Sequence, residues 1–223
     1  MLSDTIFYTP TSGQINKAMI MFHGYGSNGN DLISLASDMA KSVSDTIFYA
    51  PNAPDVLSAD GYKWFDIDEM VASSVYEHFD YLENLMKRAK SNVSGIIDFV
   101  RYIEFKHSLK PEDVILMGFS QGALLALMMG VLYAPCVKGV IACSTIPLLI
   151  NDTLMPDEIK SSPPVLLTHG TADDIAPFVS MQMAENTLTN IGCKIKTHIV
   201  DGMGHAIDPS CEKAMIDFVH ELD

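Results

Sequence analysis

The sequence predicts an α/β fold: a mainly parallel central sheet with helices on both faces. Two observations carry this. Short, continuous apolar runs, the form that strands buried on both faces take, alternate with stretches of helical periodicity, and alternation of this kind implies crossover connections and parallel pairing. The length agrees: 223 residues, 48% hydrophobic and 19% charged, suit one domain spanning 1–223, since α/β domains reach about 200 to 250 residues.

The elements follow in order. The octets "SDTIFYTP" at 3–10 and "SDTIFYAP" at 44–51 read as two similar strands; the likeness ends with the octet, so no repeat architecture follows. "KAMIMF", Lys17–Phe22, is a buried strand that runs into the glycine loop "HGYGSNG". Residues 31–41 then place Leu32, Leu35, Ala36 and Met39 at helical spacing, with Asn30 or Asp31 to cap them. Residues 52–71 look irregular, helical pattern resumes in the seventies, and 91–107 carries Val93, Ile96, Ile97, Val100 and Ile103 on one stripe. "DVILMG" is a strand and "QGALLALMMGVLY" an apolar helix. "KGVIAC", "PVLLTH" and "KIKTHIV" supply further strands, and helices begin near Phe178 and Ser210.

In such sheets chemistry collects beyond the carboxyl ends of the strands. Four loops with reactive residues fall there: 23–29, 118–122, 169–177 and 201–206. Gly118 to Gly122, "GFSQG", is G-x-S-x-G between an apolar strand and an apolar helix, the setting of a nucleophile elbow. Its alternative role, Ser120 as a plain helix cap, explains the serine but not the flanking glycines. A serine hydroxyl needs a base to take its proton and a carboxylate to hold that base. His205 in "GMGH" follows in the required chain order of serine, acid, histidine. Asp173 and Asp174 both stand in the preceding loop and spacing does not separate them; Asp201 is four residues from His205, too close to fold back readily onto the imidazole. An oxyanion hole would take one N–H from Gln121, after the nucleophile, and a second from the "HGYG" loop, at Tyr25.

Gly24, Gly26 and Gly29 also spell G-x-G-x-x-G, a dinucleotide-binding fingerprint. That reading requires an acidic residue at the end of the second strand, where Tyr49 and Ala50 stand instead. A non-catalytic binding module on the same fold is a further alternative, and the presence of every catalytic residue type speaks against it.

Composition narrows the partners. A net charge of −14 with only 14 basic residues opposes binding to nucleic acid or anionic membranes. The longest apolar stretch, 122–136, contains Pro135 and is shorter than the roughly 20 residues a membrane-spanning helix needs. The start "MLSDTIFYTP" has no secretory pattern. Cys136, Cys143, Cys193 and Cys211 lack C-x-x-C spacing, and Cys136 and Cys143 sit in apolar stretches that read as buried; the expectation is core thiols in a reducing, cytoplasmic protein. No metal or cofactor is expected, and monomer and homodimer remain equally open.

Six segments in order, "HGYGSNG", "PNAP", "WFD", "GFSQGA", "HGTADDIAP" and "GMGH", resemble the carboxylesterase, lysophospholipase and acyl-protein thioesterase family of α/β-hydrolases from about Lys17 onward. The resemblance implies an α/β-hydrolase fold, and the remaining length leaves no room for a large cap domain, so a shallow, open cleft is expected. It selects Asp173 as the acid, places the oxyanion N–H groups on Tyr25 and Gln121, and puts Trp64 and Phe65 beside the substrate. Asn52 stands where many members carry histidine, Ser27 and Asn28 replace an Asp-Thr pair, and Ala176 replaces valine, which makes the chain more similar to bacterial esterases. The implied reaction is cofactor-free hydrolysis of esters or thioesters of short to medium acyl chains. Lysophospholipids and acylated proteins are the alternative substrates. Candidate walls for the acyl pocket are 58–76 and 146–155.

Overall fold

The computed structural model describes residues 2, 4–10, 12–67, 79–133, 135–148 and 156–223. The parts of the expected acyl-pocket walls at 68–76 and 149–155, and the helical pattern expected in the seventies as far as 78, lie outside the described residues.

Seven strands form one sheet in the order β1 (Thr5–Tyr8), β3 (Thr46–Pro51), β2 (Lys17–Phe22), β6 (Val114–Phe119), β7 (Gly139–Cys143), β8 (Val165–Gly170) and β9 (Ile195–Val200). Every pairing is parallel except β1 with β3, where Thr5 faces Pro51 and Tyr8 faces Phe48. The two similar octets therefore pair with each other. One copy becomes the partly exposed edge β1, and the other is buried throughout in β3.

Side chains alternate across each central strand and feed two cores. Ala18, Ile20, Phe22, Val114 and Leu116 face one side, with α3 (Phe79–His107), α4 (Gln121–Leu132) and α5 (Val179–Asn190) packed over them. Met19, Met21, Ile115 and Met117 face the other side, covered by α2 (Ala36–Ser42) and α6 (Pro209–Glu221). Helix α4 is buried from Gln121 to Val131, which accounts for its unbroken apolar sequence. Each fully buried Leu or Met there contributes about 1.5–3 kcal/mol of transfer free energy.

Three local expectations require correction. The helix expected over 31–41 is two helices, α1 (Gly29–Ile33) and α2. Asn28, rather than Asn30 or Asp31, caps α1, its side chain accepting from the Asp31 N–H. The stripe over 91–107 belongs, in agreement with the helical pattern resuming in the seventies, to the longer α3, Phe79–His107. Within the stretch read as irregular, β4 (Asp55–Val56) and β5 (Tyr62–Lys63) form a small hairpin; two-residue strands are too short to show periodicity. Finally, Cys143 is buried but Cys136 is only half-buried. Among the described residues no helix is long and apolar enough to cross a membrane.

Candidate active site

The Ser120 position is built by close approach of backbone. Strand β6 turns into α4 at Ser120, whose φ of 55° and ψ of −116° lie outside the regions that L-residues favour. Such a conformation costs on the order of 1–3 kcal/mol and persists only where surroundings enforce it. Here Ser120 N–H donates to the Cys143 carbonyl at 2.9 Å. A Cβ on Gly118 would fall 2.1 Å from the Gly122 carbonyl oxygen, and one on Gly122 would fall 2.0 Å from that of Phe22. The two glycines let the turn close and let α4 press onto β2.

His205 arrives from the loop after β9. Its Nδ1 lies 3.0 and 2.9 Å from the two carboxylate oxygens of Asp173. Because a carboxylate only accepts, Nδ1 carries the proton and Nε2 is left as the basic nitrogen. The Phe119 ring packs 4.7 Å from the imidazole, centroid to centroid. Ser120 and His205 line the same cleft, of about 540 Å³.

The structure separates the three candidate acids. Asp173 is buried behind His205, and its Oδ1 also accepts from the N–H groups of Ile175 and Ala176 at 3.1 and 2.8 Å. Burial opposes its charge, yet the hydrogen bonds from His205 and Ala176, with the attraction of His205, outweigh burial and hold the carboxyl below the usual carboxylate range. Asp174 lines the cleft itself. Asp201 accepts from the Thr171 hydroxyl at 3.0 Å.

The first loop lies against Ser120: a Cβ on Gly24 would sit 3.4 Å from Ser120 Cβ. Tyr25 and Gln121 both line the cleft, and among the described residues neither backbone N–H has a hydrogen-bond partner. Unpaired amides beside a strained serine suit a developing oxyanion.

Trp64 and Phe65 are not among the cleft-lining residues. They are buried, 1% and 4% exposed, and they hold the loop from behind. Trp64 Nε1–H donates to the His23 carbonyl at 2.9 Å, Trp64 N–H donates to Gln121 Oε1 at 2.9 Å, and Gln121 Nε2–H donates to the Phe65 carbonyl at 2.8 Å. The Gln121 side chain thus ties the elbow to the same segment that braces the oxyanion loop. The hairpin joins in, with Gly26 N–H donating to Tyr62 O and Tyr62 N–H donating to Ser27 O, both at 2.8 Å.

Sequence reasoning missed the supporting roles of three residues. His23 Nδ1–H donates to the Gly24 carbonyl at 2.8 Å, and its Nε2 accepts from Ala53 N–H at 3.0 Å. Burial lowers its pKa, partly offset by the Gly24 bond. Asn52 Oδ1 accepts from Gly29 N–H at 2.7 Å. His169 Nε2–H donates to the Ala176 carbonyl at 2.7 Å, fixing the turn that carries Asp173; burial again lowers its pKa. Each of the three lies inside one of the quoted motifs, His23 in "HGYGSNG", Asn52 in "PNAP" and His169 in "HGTADDIAP", which was the available signal.

A family model described as phospholipase/carboxylesterase matches residues 9–222. The chain belongs to this family. Among similar solved structures, the crystal structure of esterase PE8 is 33% identical, with a TM-score of 0.87 over 98% of both chains. Acyl-protein thioesterase 1 of Debaryomyces hansenii is 26% identical over 225 residues, covering 96% of this chain and 93% of that one. The Zea mays acyl-protein thioesterase 2 structure, at 19% identity and a TM-score of 0.75 over 98% of both chains, shares the fold. Family membership makes the chain a carboxylic ester hydrolase on an α/β-hydrolase scaffold.

Proposed function

We propose that the protein hydrolyses carboxylic esters or thioesters of short to medium acyl chains through an acyl-enzyme on Ser120. The observation that carries this is the pairing of a strained, cleft-facing Ser120 with a His205 whose Nδ1 is held by Asp173. His205 Nε2 takes the Ser120 proton as Oγ attacks the carbonyl carbon, and the Tyr25 and Gln121 N–H groups receive the negative oxygen. His205 then gives the proton to the departing alkoxide or thiolate. A water molecule, deprotonated by the same nitrogen, releases the acid and restores Ser120. No cofactor is needed for this sequence.

Ile67, Tyr81, Leu85, Phe119 and Ile146 give the cleft an apolar wall, which supports an acyl rather than a polar occupant. The thioesterase reading is the alternative, favoured by the names of the fungal relatives. Four free thiols support a reducing, cytoplasmic setting.

Labelling with a fluorophosphonate followed by peptide mass mapping tests the assignment: modification is expected at Ser120 and is lost in Ser120→Ala and strongly slowed in His205→Ala. Labelling elsewhere in folded protein would overturn it. Rates on matched oxygen esters and thioesters of increasing chain length, with a lysophospholipid included, separate the two substrate readings.

A further inference from the structure

Asp173 and Asp174 are adjacent and chemically identical, yet one is buried on His205 while the other opens into the cleft beside Ser120 and His205. Among the described cleft-lining residues, Asp174 supplies the only carboxylate and none supplies an ammonium or guanidinium group. No hydrogen bond or ion pair among the described residues neutralises it. Lys63 of the hairpin, whose charge reaches Tyr25 of the cleft wall, is paired with Asp66. Asp174 is exposed to solvent, so its charge acts at short range on groups that enter the cleft and is screened by salt beyond that; the net charge of −14 has the same sign.

The side of the cleft matters. His205 must stand against the leaving atom to protonate it, and Asp174 comes from the turn whose Asp173 holds His205. We propose that Asp174 sets a charge preference for the leaving group: esters or thioesters whose alcohol or thiol part carries a cation are favoured, and those with an anionic part are disfavoured. This inference rests on the serine-hydrolase reading above.

Three butyrate esters test it on the full chain: butyrylcholine, its uncharged carbon isostere 3,3-dimethylbutyl butyrate, and 2-sulfoethyl butyrate. The quantity read is the cationic-to-neutral ratio of kcat/KM in wild type divided by the same ratio in Asp174→Asn, which cancels the intrinsic difference between the leaving groups. A quotient of about 3 to 10 is expected at low ionic strength, expressed in KM, and it should shrink towards one at about 0.5 M salt. Asp174→Glu should restore it, and Asp174→Asn should raise the relative rate on the sulfoethyl ester. A quotient of one, or one that salt does not change, overturns the inference. Failure of wild type to hydrolyse the neutral ester, or hydrolysis that survives Ser120→Ala, would instead overturn the serine-hydrolase reading.

Discussion

At the scale of single residues, the position of a carboxylate decides its work. Asp173 accepts from His205 Nδ1 and from two backbone N–H groups, so an amide in its place would present the wrong hydrogen-bonding group and favour the wrong imidazole tautomer. Asp173→Asn should lower kcat by about 10⁴-fold, whereas Asp174→Asn on an uncharged ester should cost far less; steady-state kinetics on one neutral substrate compares them. Gln121 gives a second residue-scale prediction. Its buried amide satisfies the Trp64 N–H and the Phe65 carbonyl, and Gln121→Met would leave both unpaired. The expected loss is about 1–3 kcal/mol for each orphaned group, read as a lower urea midpoint, together with reduced kcat because the elbow and the oxyanion loop lose a shared tie.

At the scale of elements, the turn from β6 into α4 tolerates no added atom. Gly122→Ala would set a Cβ 2.0 Å from the Phe22 carbonyl oxygen; a loss of about 3 kcal/mol or more is expected, or failure to fold. Gly95 in α3 provides the contrast, being exposed in a helix with nothing within 4 Å of an added Cβ. Gly95→Ala should raise stability by about 0.5–1 kcal/mol, and equilibrium denaturation of the two variants checks both signs. These same elements show what was legible beforehand. The buried strands and α4 announced themselves because burial on all sides leaves a continuous apolar run, and the G-x-S-x-G turn because its glycines answer a steric demand. The hairpin at β4 and β5 did not, since four residues hold no period. Trp64 and Phe65 read as substrate neighbours because the motif marks proximity to the cleft, while whether a side chain faces it or backs it depends on tertiary contacts with His23 and Gln121. Asp173 and Asp174 were inseparable by spacing for the same reason, and only the family resemblance chose between them.

At the scale of the whole molecule, buried histidines make stability depend on pH. Burial depresses the pKa values of His23 and His169, so between the folded values and the ordinary value of about 6.5 the unfolded chain binds the proton that the native chain refuses. Their contribution is fully present above about pH 6.5 and is lost as pH falls through that window. Burial raises Glu104 and Glu212, which act with the opposite sign from about pH 4.5 upward, so the cleaner measurement is a difference. His169→Gln can retain a donor towards the Ala176 carbonyl without titrating. The wild-type unfolding free energy should therefore rise more steeply from pH 5 to pH 7 than that of the variant, and parallel urea series at each pH would show it.

The cross-tie of Gln121, Trp64 and His23 also bears on redesign. A library aimed at new acyl groups gains little from varying these three positions, since Trp64 links the other two and most single changes would first unseat the machinery. Ile67, Leu85 and Ile146 line the cleft without taking part in that tie, so selection for altered substrate scope can proceed there while the hydrolytic apparatus stays in register.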